Sequence, residues 1–252
     1  MKKTFAILLS CLFALACGGV KDTRVLVLYE NAGHHKPFTD AVVPWLHEVA
    51  AREHLALTEI LNPASVNEEF LKGFDVVLQL DYPPYMWSDQ AMAAFQAYVD
   101  EGRGGWVGLH HASLLGEFDG YPMWPWFSEL LGGIRYQDYI AELSDGEVRL
   151  EQPEHPLFKG LPDQFVIADD EWYTYDRNPR ACPDVQVLAV VDEDSYTVPT
   201  EKRMGDHPVV WTNTAKAGRN VYFQFGHSPR LAQDPHFQAL LLNALHWAAE
   251  KQ

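Results

Sequence analysis

The fold of this chain is decided by the stretch GGWVGLHHAS, Gly104–Ser113. Its centre, Gly105–Leu109, is an uninterrupted apolar run, which is typical of a strand covered on both faces. Two histidines, His110 and His111, follow at the point where this strand leaves the core. The stretch therefore predicts a buried strand that carries imidazoles to one edge of a sheet.

The segments before this stretch alternate between strand and helix patterns. Strand patterns cover Arg24–Tyr29, Leu55–Ile60 and Phe74–Leu80, and helix patterns cover Thr39–His54 and Asp89–Glu101. Ser88 is the predicted N-cap of the second helix, and Gly102 is its stop signal. Such alternation predicts a parallel sheet with helices on both faces.

The second half of the chain is less regular through about Val191. After it, Pro208–Asn213 and Asn220–Phe225 flank the segment TAKAGR, which predicts a hairpin with Ala217-Gly218 as its turn. The helical pattern His236–Glu250 closes the chain. The prediction is one α/β domain with a mostly parallel sheet and a C-terminal pair of hairpin strands.

Polar side chains follow four of the predicted strands. These strand ends carry His34 and His35, Asp81 and Tyr82, His110 and His111, and Gly226 and His227. In the expected hairpin register Pro208 lies opposite His227, which brings His207 to the same edge. Because ligands bind beyond the carboxyl ends of parallel strands, we expect a site there.

General acid–base chemistry is the favoured interpretation of these residues. We assign His110 and His227 as general acid and base, and Glu171 from ADDEWYTY as the orienting or second base. Side chains expected to contact the substrate are His34, Tyr82, His111, Asp170, Trp172 and His207.

Nucleophilic catalysis and metal binding are the two alternatives to acid–base chemistry. A nucleophilic serine is disfavoured because no G-x-S-x-G occurs, and Ser113 is better explained as a cap. No cofactor is predicted, but a divalent metal bound by His34, His110, His207 and His227 stays an alternative. No close His-x-His spacing supports that alternative.

Composition limits the partners of the protein. The formal charge of −16 over 252 residues argues against nucleic acid, since nothing offsets repulsion from phosphates. A small neutral or polar molecule, such as a sugar, is the expected partner.

The first residues, MKKTFAILLSCLFALACGG, have the pattern of a secretory signal. The end of the apolar run, Ala14–Cys17, is similar to a bacterial lipobox, so residues 1–16 are the predicted signal peptide and residues 17–23 a tether. Cys17 would then carry a lipid that anchors an exported protein to the membrane of the cell envelope. Ordinary cleavage after the Ala-x-Ala triplet is the alternative. Apart from Cys17 only Cys182 follows the signal, so no disulfide framework is expected.

An ordered set of motifs resembles the ThuA-like, trehalose-utilisation family, which belongs to the class I glutamine amidotransferase-like superfamily. The matching pieces are GGWVGLHHAS, YPMWPWFSELLGG, EHPLFKGLPDQF, DDEWYTY, HPVVWTN, AGRNVYFQFGHS and DPHFQALLLNALHWAA. They extend over nearly all of the predicted domain, residues 24–250.

The resemblance implies a flavodoxin-like, three-layer fold and a link to sugar catabolism, often of 3-keto-glycosides. It also implies that the strand-to-helix turn, where amidotransferases hold a cysteine nucleophile, carries His110 instead. The family positions present here are His110, Asp170, Glu171, His207 and Gly226-His227. Relatives often have a histidine where this chain has Gln137 or Asp138, which argues against a metal centre.

We therefore expect an exported enzyme that processes a sugar or an oxidised sugar. Two alternatives stay open at this point: a carbohydrate-binding lipoprotein without catalysis, and a metal-dependent hydrolase.

Overall fold

A nine-stranded mixed sheet runs through the structure, a computed structural model that describes residues 21–250. In chain order the strands are β1 (Thr23–Leu28), β2 (Leu55–Ile60), β3 (Val76–Gln79), β4 (Gly105–Leu109), β5 (Tyr136–Tyr139), β6 (Ser144–Leu150), β7 (Gln164–Asp170), β8 (Tyr173–Tyr175), β9 (Val185–Asp192), β10 (Pro208–Asn213) and β11 (Asn220–Phe223). The helices are α1 (Lys36–Ala50), α2 (Glu68–Leu71), α3 (Asp89–Asp100), α4 (Pro125–Leu130) and α5 (Pro235–Ala249).

The large sheet has a parallel part and an antiparallel part. Its strand order is β2-β1-β3-β4-β11-β10-β9-β6-β7. The pairs from β2 to β11 are parallel, and the pairs from β11 to β7 are antiparallel. β5 and β8 form a separate antiparallel pair. The strands β1, β3, β4 and β11 are consecutive neighbours, so their carboxyl ends share one edge of the sheet.

Alternate residues of the parallel strands pack on opposite faces of the sheet. Val25 and Val27 belong to the apolar cluster that includes residues of α1 and α5. Leu26 and Leu28 belong to the cluster that includes residues of α3 and a group of tryptophans. Period-two alternation explains this division. The α/β class and the three-layer arrangement predicted from the sequence are confirmed.

Helix ends in the first half follow the local signals. The Ser88 side chain accepts a hydrogen bond from the Ala91 N–H at the start of α3, as the sequence predicts. Asp234 caps α5 in the same way, by accepting from the N–H groups of His236 and Phe237. The predicted bounds of β2, β4 and β10 are the observed bounds.

The hairpin register differs from the prediction by two residues. A two-residue turn at Ala217-Gly218 would pair Pro208 with His227. The structure instead pairs Val210 with Phe223 and Trp211 with Tyr222, and residues 214–219 connect the strands. Asn220 closes this longer connection, because its side chain accepts a hydrogen bond from the Asn213 N–H and donates one to the Asn213 carbonyl oxygen.

None of the helices within residues 21–250 is long and apolar enough to cross a membrane. The predicted signal peptide and Cys17 lie outside the described residues.

Candidate functional site

Four side chains meet at the edge where the parallel strands end. They are His35, which precedes α1; His110, which follows β4; Glu171, between β7 and β8; and His227, shortly after β11. One nitrogen or oxygen atom of each lies within 4.8 Å of the corresponding atom of every other. We refer to these four residues as the four-residue centre.

A strained turn directs His110 into this centre. Its φ of +42° lies in the left-handed region, which costs free energy for a residue with a Cβ. The His110 carbonyl oxygen accepts hydrogen bonds from the hydroxyls of Tyr222 and Ser113, which fixes the turn. Gly226, with φ of +150°, passes so close that a Cβ there would lie 3.0 Å from the His110 Cβ.

Asp170 organises the backbone around the centre. Its carboxylate accepts hydrogen bonds from the N–H groups of Glu171, Gly226 and His227, at 2.7, 3.2 and 3.0 Å. Burial raises the pKa of this fully buried carboxyl, while the charge of His110 and the backbone donors oppose the rise. Asp170 thus holds two members of the centre in place without reaching the solvent.

The distances inside the centre are short. His110 Nε2 lies 3.2 Å and His227 Nδ1 lies 3.6 Å from the Glu171 Oε2. His35 Nε2 lies 3.0 Å from His227 Nδ1. The other ring nitrogen of His110, Nδ1, lies 2.8 Å from the backbone carbonyl oxygen of Gln224.

The centre keeps Glu171 ionised. Burial by itself raises the pKa of Glu171, but hydrogen bonds and charge from His110 and His227 outweigh it and hold that pKa well below its usual value. Burial likewise lowers the pKa of His227, but the hydrogen bond and charge of Glu171 outweigh it and leave the pKa raised. For His35, burial and the neighbouring histidines lower the pKa strongly, so this imidazole is neutral.

A cavity of about 440 Å³ opens above the centre. Glu171 and His227 form part of its floor, with side chains 13% and 18% exposed. His34, His35 and His111 also line it. The rest of the wall is mainly aromatic and apolar: Leu114, Tyr136, Tyr139, Ala141, Leu143 and Tyr173.

His111 and Asp81 lie beside the centre as polar groups whose pKa values are shifted by burial. Burial lowers the pKa of His111 to about 3, and burial raises the pKa of Asp81 to about 7. One Asp81 oxygen accepts from the Glu30 N–H. Among the described residues, the other Asp81 oxygen and the His111 Nδ1 have no hydrogen-bond partner.

Of the side chains predicted to be catalytic, the structure brings His110, Glu171 and His227 together. His34 and His111, predicted to bind substrate, line the cavity above them. His110 is fully buried behind Glu171, so it cannot itself touch a molecule in the cavity. We therefore correct its expected role from acid or base to support for Glu171.

His207 does not reach the cavity, which corrects its assignment as a substrate binder and as a candidate ligand. Its ring is 1% exposed, and Nδ1 lies 2.8 Å from the Glu193 carboxylate. Nε2 lies 3.0 Å from the Tyr173 carbonyl oxygen. Both ring nitrogens are therefore occupied inside the protein.

Three other residues expected to contact substrate have structural roles. Trp172 is fully buried and its indole N–H donates to the Ser144 carbonyl oxygen. Tyr82 packs edge-to-face on Trp87 in the core. Asp170 supports the backbone, as described above.

His35 is the member of the centre that sequence reasoning missed. Of the pair His34-His35, the sequence pattern predicts the exposed His34 as a substrate-binding residue and a candidate metal ligand. His34 is not a member of the centre. The helical pattern contained the signal, because His35 continues the buried stripe of α1 that includes Phe38, Thr39 and Val42. His34 lies off that stripe.

Gln137 and Asp138 belong to a different surface. They line a separate cavity together with Lys202, which donates a hydrogen bond to Asp138. Their identity therefore does not determine what the four-residue centre binds.

The sequence and the fold of this chain are similar to those of known proteins. The sequence pattern of the family described as ThuA, trehalose utilisation, matches residues 24–248. A ThuA-like protein from Bacteroides uniformis is 27% identical and superimposes with a TM-score of 0.80, over 92% of this chain and 94% of that one. A ThuA-like protein from Parabacteroides merdae is 19% identical, with a TM-score of 0.67 over 91% and 90% of the two chains.

A more distant structure shares the fold. The CTPS glutaminase domain of Trypanosoma brucei, solved with bound acivicin, is 13% identical, with a TM-score of 0.54 over 91% of this chain and 95% of that domain. Among curated proteins no match was found.

Proposed function

Because the chain belongs to the ThuA (trehalose utilisation) family, we propose that it is an enzyme that converts a sugar or an oxidised sugar of the keto-glycoside type. The observation that carries the proposal is the convergence of Glu171 and His227, with His110 buried behind Glu171, at the floor of a cavity walled by tyrosines. Aromatic faces pack against the C–H surface of a sugar ring, while the polar floor meets its oxygens.

The centre suits a substrate that develops negative charge on oxygen. Two imidazoles and an ionised carboxylate in such close contact hold a positive charge between them, as a proton or a cation. Directed at the ketone oxygen of an oxidised sugar, that charge stabilises the enolate formed when a basic side chain lining the cavity accepts the proton of a neighbouring carbon. Isomerisation and elimination of a keto-glycoside both begin with this step.

In this proposal, the role of each residue follows from whether its side chain reaches the cavity. His35, Glu171 and His227 are the members of the centre that line the cavity and can contact substrate. His110 lies behind Glu171, and His34 and His111 stand at the wall as substrate-binding groups.

Turnover of a panel of keto-glycosides tests the proposal. We expect Glu171→Gln to lower kcat/KM by at least about 10²-fold, the usual size of losses at such groups. Glu48→Gln is the matched control, because this glutamate lies exposed on α1 away from the cavity. Sugar binding without turnover in the unaltered protein would favour a carbohydrate-binding role instead. Equal turnover by both variants would reject the site.

We also propose that the protein is exported and anchored by lipid at Cys17. The pattern MKKTFAILLSCLFALAC supports this. Cys17→Ser is expected to move the protein from the membrane fraction to the soluble fraction and to remove the mass of the acyl chains. A soluble, unmodified protein before the substitution would contradict the anchor.

A further inference from the structure

The four-residue centre brings four atoms of metal-ligand type to one point, within 4.8 Å of one another. The Gln224 carbonyl oxygen can only accept, so the His110 Nδ1 beside it must carry the hydrogen. The His110 Nε2 lies 3.2 Å from the Glu171 carboxylate, and this contact needs either a proton on that nitrogen or a cation between the two atoms.

The same need extends to the other two members. His227 Nδ1 lies 3.6 Å from the same Glu171 oxygen and 3.0 Å from His35 Nε2. A proton joins two of these four atoms, whereas a metal ion joins all of them. Ligand bonds of about 2.0–2.2 Å in tetrahedral geometry separate the ligand atoms by about 3.3–3.6 Å. The three contacts of 3.0, 3.2 and 3.6 Å lie close to that separation.

From this geometry we propose that His35, His110, Glu171 and His227 bind a divalent first-row transition cation such as Zn²⁺. Three imidazoles and one carboxylate are the ligands that such ions prefer over Mg²⁺ or Ca²⁺, which take oxygen ligands. The Gln224 carbonyl is the outer partner that fixes the tautomer of a ligating histidine.

Access to the ion is one-sided. His110 is fully buried, whereas His35, Glu171 and His227 line the cavity. Four protein ligands fill a tetrahedral shell, so a substrate oxygen that approaches from the cavity would enter as a fifth ligand. The inference rests on the proposed function and deepens it, because it identifies the positive charge of the centre as a metal ion. Metal binding itself is measured without any sugar.

The test uses the full chain without a polyhistidine tag, stripped with chelator and titrated with Co²⁺ and Zn²⁺. We expect one equivalent per chain, with the visible absorption of a Co²⁺ site containing nitrogen ligands, and no competition from Mg²⁺. Glu171→Gln and His227→Ala should each weaken binding at least about tenfold, since even outer partners of ligands matter that much. His34→Ala is the matched control and should bind as the unaltered protein does.

A second measurement guards against variants that lose their fold. At one fixed concentration, Zn²⁺ should raise the Tm of the unaltered protein and of His34→Ala more than that of folded Glu171→Gln, because stabilisation by a ligand grows with its affinity for the native state. No stoichiometric Co²⁺ binding, or equal binding by Glu171→Gln and His34→Ala, would overturn the metal site. Metal bound without sugar turnover would instead reject the proposed function and leave the metal site standing.

Discussion

Within residues 21–250, two histidine–carboxylate pairs contain a fully buried imidazole, and their surroundings are opposite. In the closed pair, His207 and Glu193 are 1% and 5% exposed and lie 2.8 Å apart. In the open pair, His110 and Glu171 lie 3.2 Å apart, and Glu171 faces the cavity. Both pairs combine the same two chemical groups at comparable distances.

The difference lies in how completely the surrounding protein satisfies each carboxylate. Glu193 also accepts hydrogen bonds from the N–H groups of Met204 and Gly205, and its partner His207 bonds the Tyr173 carbonyl. Glu171 faces two imidazoles and the cavity instead. A fully satisfied pair contributes to stability and has no capacity left for a ligand, whereas an incompletely satisfied pair can bind one.

The largest expected difference between the two pairs is in how much each contributes to the free energy of unfolding. Removing the closed pair with His207→Ala should lower the free energy of unfolding by about 3–5 kcal/mol, because Glu193 is left buried without its partner. Glu171→Gln should change it by less than about 1 kcal/mol, since its side chain keeps its shape and reaches the cavity. Denaturant titration of both variants measures this. A larger loss for Glu171→Gln would remove the distinction.

A smaller effect is expected from the glycines that flank the two pairs. Gly226→Ala should cost about 1–3 kcal/mol and weaken Co²⁺ binding, because its φ is +150° and the new Cβ meets His110 at 3.0 Å. Gly205→Ala is the matched control beside the closed pair, with φ of +81° and no atom within 4 Å of a Cβ. It should cost stability alone. Co²⁺ binding that falls equally in both would show that backbone strain, and not contact with His110, is responsible.

The smallest expected effect is a difference in pH dependence. Burial raises the pKa of Glu193, but the His207 hydrogen bond and the backbone donors outweigh it and hold that pKa below its usual value. Its stabilising contribution is therefore complete above the unfolded-state pKa of about 4.3–4.5 and is lost as the pH falls through the folded-state value. His207, Tyr196 and Arg203 are the titratable or charged groups near it.

Acid unfolding of Glu193→Gln tests this expectation. The variant should be less stable than the unaltered protein at neutral pH, and the gap should narrow as the pH is lowered below about 4.5. A gap of constant size would show that the ionised form of Glu193 is not what stabilises the closed pair.

The sequence was a good guide where local signals and the fold agree. The buried run Gly105–Leu109 has the predicted bounds, and Ser88 caps α3. The strands β6, β7 and β9, in the antiparallel part of the sheet, are not predicted from the sequence. β6, for example, has the sequence SDGEVRL, whose charged residues and glycine are not typical of a strand. It becomes a strand because neighbouring strands bury one of its faces.

The site was predictable only in part for the same reason. His110 and His227 follow parallel strands, so topology alone places them at one edge of the sheet. Glu171 was suggested only by its composition and the family resemblance. His207 has the same side chain as His110 and His227, but its ring bonds Glu193, fourteen residues earlier in the chain. No sequence spacing predicts that contact.

From its sequence alone this chain is determined to be an α/β protein whose parallel strands end in histidines, because periodicity and strand order follow from local apolar patterning. Tertiary structure alone decided which histidines meet: it selected His35 over His34 and enclosed His207 beside Glu193. The reason is that ligand geometry depends on side-chain direction and solvent access to within an ångström, and both are set by packing between distant segments.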